Sequence, residues 1–289
     1  MPRGIPKTGF RAPRGSRKMQ QLLTIAPAAT PVVVETDEQI EAKLAERFEI
    51  LETMTDAAIT GDARAVIVSG PAGLGKSFTV EKSLNEWDPD AHNHRIVKGY
   101  IKAPGLFKLL YAHRARGQVL VFDDADEVFL DDTAINLLKA ACDSTDRRVI
   151  SYITEGSLID EETAERLPKS FQFEGTVIFI TNYDFDSMIE RGSKLAPHLQ
   201  ALLSRAHYID LAMKTKRDYL IRIRQVIRQG LLRNNGLSEE GQLDVIDFIE
   251  DNQDSLRELS LRMALKIAAI RRKGAANWKK VARVTCCKL

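Results

Sequence analysis

The feature of this sequence that most constrains its fold is the stretch AVIVSGPAGLGKSFTVEKSL, residues 65 to 84. It begins with a valine-rich apolar run, passes through three glycines, and continues with helix-forming residues after Lys76 and Ser77. An apolar run with β-branched residues is typical of a buried strand, and the change of pattern after it predicts a helix. The most flexible residues therefore lie where a buried strand turns into a helix.

A glycine-rich turn in that place is suited to binding phosphate. Glycines lack a Cβ atom, so the backbone can wrap around an anion, and the start of the next helix offers unpaired N–H groups. The segment fits G-x-x-x-x-G-K-[ST], the P-loop, in which the lysine reaches the β- and γ-phosphates and the hydroxyl ligates Mg²⁺. The dinucleotide pattern G-x-G-x-x-G does not fit, because its third glycine would fall on Phe78. We predict a nucleoside triphosphate site whose cofactor-binding residues are Gly70, Pro71, Ala72, Gly73, Leu74, Gly75, Lys76, Ser77 and Phe78.

The composition indicates one large globular domain, or one domain with a small appendage, since 44% of the 289 residues are hydrophobic and 28% are charged. No apolar run approaches the ~20 residues that span a membrane, and the N-terminus has no apolar signal segment. The three cysteines, Cys142, Cys286 and Cys287, form no C-x-x-C pair. This cysteine usage favours a reducing compartment. We expect an intracellular, cytoplasmic protein with no membrane partner.

Basic residues are concentrated at the two ends of the chain. Residues 1–18 contain six and residues 271–289 contain seven, with no acidic residue in either segment, although the whole chain carries 42 basic and 40 acidic residues. Basic ends on an acidic body favour contact with nucleic acid or another polyanion. The alternative, left equally open, is that both ends are solvated tails. We predict a basic, disordered tail and linker over residues 1–35 and a basic tail over residues 274–289.

Between residues 36 and 213, apolar runs alternate with helical patterns. An amphipathic helix capped by Thr36 comes first, and the runs AVIVS, HRIVKG, QVLVFDD, TVIFITN and HYIDL follow. The alternation predicts an α/β fold, with a parallel sheet covered by helices on both faces. The runs RRVISYIT and KSFQFEG interrupt it and predict a hairpin, within residues 147–175, inserted before the fourth strand. After this core only helical patterns follow, and we predict helices over residues 215–232, 238–250 and 255–273.

Polar residues follow the third and fourth strands at the edge where the glycine-rich loop would lie. The run VLVFDD ends in Asp123, which is suited to holding Mg²⁺, and Asp124, which is suited to orienting an attacking water. The run VIFITN ends in Asn182, which either positions that water or the γ-phosphate or is only a turn residue. The sequence therefore predicts a hydrolytic site at this edge.

Two arginines extend this prediction. Arg205 ends a helix that enters the fifth strand, where it either caps that helix or reaches the nucleotide of a neighbouring subunit. Arg262 lies early in the last of the three predicted helices, from which it could reach back over the γ-phosphate. Arg257 is the rival of Arg262 for this role.

The segments GPAGLGKS, VLVFDD, VIFITN, LLSRAHYIDL and LSLR, in this order, resemble the Walker A, Walker B, sensor 1, arginine finger and sensor 2 motifs of the AAA+ ATPase superfamily. The resemblance covers residues 36–273. It implies an αβα core over residues 36–213 with strand order 5-1-4-3-2, a helical lid over residues 214–273, Mg-ATP as substrate, and a ring or spiral assembly. The compact form with basic ends resembles ATPases encoded by bacteriophages. The implied residues are, for catalysis, Asp124, Asn182, Arg205 and Arg262, and, for the metal, Ser77 and Asp123.

The chain departs from the family at the end of Walker B. The family usually has Asp-Glu there, whereas this chain has Asp123 followed by Asp124, whose side chain is one methylene shorter. Asp126 or Glu127 could take over the activation of water. The departure motivates a reading of the chain as a nucleotide-gated binding module that hydrolyses slowly.

The leading hypothesis is an oligomeric ATPase that remodels or loads a macromolecular partner, with nucleic acid preferred. A MoxR-like remodeler with a protein client is the alternative within the same superfamily. A small-molecule P-loop kinase is disfavoured, because such kinases lack the helical lid and no phosphoacceptor pocket is recognisable. A GTPase is disfavoured by the absence of an N-K-x-D motif.

Overall fold

The computed structural model describes residues 35–159, 164–274 and 276–288. The predicted tail and linker over residues 1–35 lie outside this described part except for Glu35. The first described helix starts after Thr36, whose hydroxyl accepts from the Gln39 backbone while the Gln39 side chain accepts from the Thr36 backbone. This reciprocal capping box fixes the start of the helix at the residue that the sequence predicted.

Seven strands lie in the described part of the chain, and each predicted strand corresponds to one of them. The strands are β1 (Ala65–Ser69), β2 (His94–Lys98), β3 (Val119–Asp123), β4 (Val149–Ser151), β5 (Ser170–Gln172), β6 (Thr176–Thr181) and β7 (His207–Asp210).

Five of the strands form one parallel sheet in the spatial order β2-β3-β6-β1-β7. Counted within this sheet and read from the other edge, the order is 5-1-4-3-2, so the predicted fold class and strand order are confirmed. β1, β3 and β6 are buried along their whole length, as expected of strands covered on both faces. Ser69 at the end of β1 lies opposite Thr181 of β6 and Asp210 of β7. The carboxyl ends of these strands therefore form one edge.

Helices connect the strands and then continue alone. A short 3₁₀ helix follows β3 at Asp126–Phe129. The α-helices of the described residues are α1 (Asp37–Thr60), α2 (Lys76–Trp87), α3 (Ala103–Ala112), α4 (Asp132–Ala141), α5 (Phe185–Glu190), α6 (Ala196–Leu203), α7 (Lys216–Arg228), α8 (Leu231–Asn234), α9 (Glu239–Asp251), α10 (Leu261–Arg272) and α11 (Trp278–Cys286).

Three hydrophobic cores hold these elements together. One face of the sheet packs against α1 through residues such as Phe48 and Leu51. The other face packs against α3 and α4 through residues such as Leu106 and Leu138. The helices from α7 onward enclose a core of their own, which includes Trp278. We call the part from α7 to α11 the lid.

The hairpin inserted before the fourth strand of the sheet is confirmed, since β4 and β5 pair antiparallel between α4 and β6. Ile150 and Phe171 are opposite each other and both lie in the core of the α3 and α4 face. The helix predicted to end at Arg205 is α6, which already ends at Leu203, and α5 precedes it as a separate helix that the sequence analysis did not predict.

The end of the lid differs from the prediction. The segment 274–289 was expected to be a basic tail, but its described residues include α11, so the prediction was wrong. Trp278, Ala282 and Cys286 recur every four residues on this helix and are buried in the lid core. Three of the six exposed positions between them are lysine or arginine, and this basic composition obscured a helical spacing of buried residues.

Each helix of the described residues is too short or too polar to cross a bilayer. The cysteines Cys142, Cys286 and Cys287 are free and buried. Burial raises the pKa of the Cys142 thiol to about 12, so this thiol stays protonated and unreactive at neutral pH.

Candidate functional site

The glycine-rich loop between β1 and α2 lies directly under the lid. Gly73 has φ +76° and Gly75, which precedes α2, has φ +102°. Residues with a side chain rarely adopt these positive φ values. A Cβ atom on Gly73 would lie 2.7 Å from the Cβ of Ser260, the residue that caps α10. The Leu261 N–H donates to the Gly73 carbonyl at 2.8 Å. The loop therefore requires glycine for its conformation and for the close approach of the lid.

Lys76, the first residue of α2, is only 5% exposed. Its Nζ donates to the carbonyl oxygens of Gly70 and Pro71, the latter at 2.9 Å, and to Oδ1 of Asn182 at 2.9 Å. Burial lowers the pKa of Lys76 to about 8, while the nearby carboxylates, with Asp124 first among them, act in the opposite direction. The ammonium group is thus buried, fully hydrogen-bonded, and close to the ends of β3 and β6.

Asp123, the last residue of β3, joins the start of α2 to the end of β2. One carboxylate oxygen accepts from the Ser77 hydroxyl at 2.8 Å, and the other lies 3.1 Å from Nζ of Lys98, the last residue of β2. Lys98 also pairs with Glu81 at 2.6 Å. Hydrogen bonds to Glu81 and then to Asp123 raise the pKa of Lys98. A hydroxyl and a carboxylate in contact are ligands of the type that Mg²⁺ takes, and Lys98 places a cation on the same carboxylate.

Asp124 and Asn182 form the other half of this cluster. Nδ2 of Asn182 donates to Oδ1 of Asp124 at 2.7 Å, so Lys76, Asn182 and Asp124 form one continuous hydrogen-bonded chain. Asp124 has φ +53°, a left-handed backbone that costs energy in a residue with a side chain. Its N–H donates to the Ile180 carbonyl of β6 at 3.0 Å, which holds the residue in this conformation. The strained backbone turns the carboxylate toward the P-loop.

The two carboxylates that were the alternatives to Asp124 have different surroundings. Asp126 is half-buried, and burial raises its pKa against the hydrogen bonds from Thr181 and the Asn182 backbone. Its Oδ1 has no hydrogen-bond partner among the described residues. Asp126 and Glu127 do not line the cavity described next, whereas Asp124 does.

A cavity of about 800 Å³ lies between the P-loop, α1 and the lid. One end of it is the cluster around Lys76, and the rest of the lining mixes apolar side chains such as Phe48 and Leu265 with polar ones such as Glu49 and Asn235. Of the residues predicted for the site, the cavity is lined by Ala72, Gly73, Gly75, Lys76, Ser77, Phe78, Asp124, Asn182 and Arg262. Gly70, Pro71 and Asp123 lie behind this lining, and Leu74 is a buried member of the α1 core.

The predicted arginines separate into two groups. Arg262, in the first turn of α10, lines the cavity, and its charge contributes to lowering the pKa of Lys76. The rival Arg257 does not line the cavity; its N–H donates to the Cys286 carbonyl. Arg205 also lies outside the cavity; it follows α6 and donates to the Ala201 carbonyl of that helix at 2.6 Å.

The structure adds three residues that the sequence analysis missed. Lys98 contacts the Asp123 carboxylate. The sequence signal for it was a basic residue at the end of the strand that precedes Walker B. Phe48 of α1 and Arg222 of α7 line the cavity together. Neither residue belongs to a sequence motif. The one available signal was an arginine that lies within the apolar pattern of a predicted helix.

No family model matches the chain. A curated protein of Enterobacteria phage T4, described as an uncharacterized 36.7 kDa protein in the nrdC-mobD intergenic region, is 36% identical over 252 residues, which is 86% of this chain and 76% of the phage protein. The chain belongs to the same family. The expectation of a relative encoded by a bacteriophage is confirmed.

Solved structures with a similar backbone include two from Thermotoga maritima. The RuvB Holliday junction branch migration motor has a TM-score of 0.45 at 14% identity, over 86% of this chain and 69% of that one. Domain III of the replication initiation protein DnaA has a TM-score of 0.47 at 12% identity, over 85% and 92%. NtrX from Brucella abortus in complex with ATP has a TM-score of 0.43 at 13% identity, over 85% and 54%. At these values the likeness does not extend to function.

Proposed function

We propose that this chain binds and hydrolyses Mg-ATP, and that it does so as a subunit of an oligomer that remodels or loads a macromolecular partner. The observation that carries the proposal is the hydrogen-bonded cluster in which Lys76, Asn182 and Asp124 meet at one end of the cavity. Lys76 begins α2, Asn182 directly follows β6, and Asp124 directly follows β3. Their convergence on a P-loop is the arrangement that phosphoryl transfer to water requires.

A magnesium ion fits the residues beside this cluster. The Ser77 hydroxyl and the Asp123 carboxylate are in contact and both are oxygen ligands. The Lys98 ammonium contacts the same carboxylate, so the Asp123 side chain is suited to a neighbouring positive charge. When bound, the ion would neutralise charge on the β- and γ-phosphates.

The chain's own residues supply the remaining chemistry. Lys76 would exchange its loop carbonyls for phosphate oxygens. Asp124 would orient the attacking water and accept its proton, and Asn182, which donates to Asp124, would hold that carboxylate in place. Asp124 is preferred to Asp126 because it lines the cavity. Arg262, on the lid, would neutralise γ-phosphate charge.

Arg205 supports a site shared between subunits. In its own chain it bonds to the end of α6 and lies 3.8 Å from Asp143, outside the cavity. If it contacts a nucleotide, that nucleotide is held by a neighbouring copy. An arginine supplied in this way accelerates phosphoryl transfer by roughly 10³–10⁵, so we infer that a ring or spiral is the active form.

The preferred partner is nucleic acid. The basic C-terminal segment is a helix of the lid, so its exposed lysines and arginines, Lys279, Lys280 and Arg283, are held in fixed positions. A fixed row of cations on an acidic body fits a phosphate backbone. A protein client and a slowly hydrolysing nucleotide-gated module, motivated by Asp124 in place of glutamate, are the alternatives.

The test of hydrolysis compares the wild-type chain with Asp124→Asn and Asp126→Asn. Phosphate release is measured with Mg²⁺ and ATP, alone and with DNA or RNA added, and ATP binding is measured in parallel. Asp124→Asn should retain ATP and lose turnover by about 10²-fold or more, because a positioned base contributes on that order. Asp126→Asn should retain most of the turnover.

The opposite pattern in the two variants would move the base to Asp126. A wild-type chain that binds ATP without hydrolysing it under any condition would favour the gated binding module. A wild-type chain that binds no nucleotide would refute the proposed function. Stimulation by DNA or RNA that weakens with salt would support a nucleic-acid partner.

The shared site is tested by mixing Arg205→Ala with Lys76→Ala. We expect each variant alone to be inactive, since one lacks the arginine in trans and the other lacks the P-loop lysine. In randomly mixed head-to-tail rings, about a quarter of the interfaces would pair an intact P-loop with an intact arginine. The mixture should therefore regain part of the ATPase rate.

Co-assembly of the two variants is the control, and it is established by pulling down one tagged variant and detecting the other. If they co-assemble and no activity returns, or if Arg205→Ala hydrolyses ATP normally, then Arg205 only caps its own helix.

A further inference from the structure

The four arginines of α7 differ in whether they pair with a carboxylate. Arg217 donates to Asp37 of α1 at 2.6 Å, Arg224 to Glu250 of α9 at 2.6 Å, and Arg228 lies 3.1 Å from Glu41 of α1. These three are paired with carboxylates at the lid surface. The fourth, Arg222, is the exception.

Arg222 is buried without an anion. It is 6% exposed, its guanidinium carbon lies 3.4 Å from the centre of the Phe48 ring, and one Nη atom donates to the Gln225 side chain at 2.7 Å. Its Nε has no hydrogen-bond partner among the described residues. Burial lowers the pKa of Arg222 to about 10, and no charged neighbour opposes this effect. The side chain still carries its charge at neutral pH.

A buried guanidinium with an unused donor is costly unless a ligand completes it. Arg222 lines the cavity, and its Nη2 lies 3.8 Å from the position that a Cβ on Gly75 would take. Backbone N–H groups of a P-loop hold the α- and β-phosphates, while the lysine reaches toward the γ-phosphate. The free donors of Arg222 are therefore next to the part of the loop that would hold phosphates shared by ADP and ATP.

We propose that Arg222, supported by the ring of Phe48, binds the α- or β-phosphate of the nucleotide. This inference rests on the proposed function, because it assumes that the cavity takes a nucleotide. It assigns a phosphate contact to the first helix of the lid, in addition to Arg262 on α10. It also explains why one arginine of α7 has no carboxylate partner while its three neighbours do.

The test uses Arg222→Met in the full chain, a change that keeps the length of the side chain and its packing on Phe48 but removes the charge. Binding of adenosine, ADP and ATP is measured in EDTA, together with the thermal unfolding of the nucleotide-free protein. Affinity for ADP and for ATP should fall by about tenfold or more, as expected for a hydrogen bond to a charged group. Affinity for adenosine should not change, and the nucleotide-free variant should unfold at the wild-type temperature or above it.

Arg224→Met is the matched control, because this arginine is on the same helix but its partners lie outside the cavity. It should lower the unfolding temperature and leave nucleotide affinity unchanged.

Three results would overturn the inference alone. Equal loss of adenosine, ADP and ATP affinity would mean that Arg222 reads the base. Loss of ATP affinity alone would place the contact on the γ-phosphate. Unchanged nucleotide affinity with a lower unfolding temperature would mean that Arg222 only joins the lid to α1. Wild-type protein that binds no nucleotide would refute the proposed function first, and this inference with it.

Discussion

Lys76 and Arg222 are two buried cations at one cavity, and their surroundings differ. Lys76 contacts two loop carbonyls and the Asn182 side chain, and carboxylates of β3 lie nearby. Arg222 contacts an aromatic ring and one amide, with a nitrogen left over. Burial is the largest cause that lowers the pKa of both groups.

The difference concerns what a ligand would have to displace. A phosphate that binds Lys76 must replace hydrogen bonds that the protein already makes, so the gain at this position is the difference between two sets of contacts. A phosphate that binds Arg222 replaces little, because the donor has no partner. The P-loop end of the cavity is therefore suited to exchange contacts as the γ-phosphate arrives and leaves, and the Arg222 end is suited to retain the rest of the nucleotide.

The largest expected effect separates these two roles. Lys76→Ala should lower the affinity for ATP by more than about a hundredfold, because the only lysine of the loop is lost from the β- and γ-phosphates. Arg222→Met should lower it less. The nucleotide-free Lys76→Ala protein should be at least as stable as the wild type, because burial disfavours the charged lysine in the folded state. Fluorescence titration with ATP and thermal unfolding of the same samples measure both quantities.

Lys266→Ala is the control for this experiment, since Lys266 is exposed on α10 and does not line the cavity. Tight ATP binding by Lys76→Ala would show that the cavity does not use the P-loop as proposed. A variant that loses ATP binding together with its stability would show misfolding rather than a binding role.

The same comparison shows which parts of the site were readable from the sequence. Asp123, Asp124 and Asn182 were predicted because each lies at or just after the end of a buried strand, and the ends of neighbouring parallel strands meet. Arg222 was not predicted, because it lies between the apolar residues Ile221 and Ile223. The sequence does not show whether an arginine in such a helix is buried or exposed. Its role depends on contacts between segments that are far apart in sequence.

The fold divides in a similar way. The core was predictable, because buried strands and amphipathic helices alternate with strong local patterns. The end of the lid was not, because α11 buries only Trp278, Ala282 and Cys286, and half of the positions between them are basic. Its position depends on packing against α10 and on the backbone contact of Lys288 with Ser255, neither of which leaves a local pattern.

A smaller effect, on pH dependence, sharpens the comparison further. The pKa of Lys76 in the nucleotide-free protein is about 8, and that of Arg222 is about 10. Phosphate favours the protonated lysine, so binding above pH 8 requires proton uptake. Affinity for ATP should therefore fall by up to about tenfold per pH unit above this pKa. Arg222 keeps its proton over most of this range and should contribute little to the slope.

The same shift affects folding with the opposite sign. Below the lowered pKa of about 8, Lys76 is charged in both the folded and the unfolded chain, and the folded state carries the full cost of its burial. Between that value and the ordinary 10.5, the folded state releases the proton first. The free energy of unfolding of the nucleotide-free protein should therefore gain a contribution as the pH rises through this window.

The measurement is an ATP titration in EDTA from about pH 7 to about pH 9.5, with calorimetry in buffers of different ionisation enthalpy to count protons. The charged groups around Lys76 are Asp123, Asp124, Asp126 and Arg262, so variants of Lys76 itself are needed for the assignment. Lys76→Arg should bind ATP with a flat pH profile, because a guanidinium does not titrate in this range. Arg222→Met should bind more weakly but keep the wild-type slope. If the wild-type profile is flat, Lys76 holds its proton throughout, and the two cations differ only in their partners.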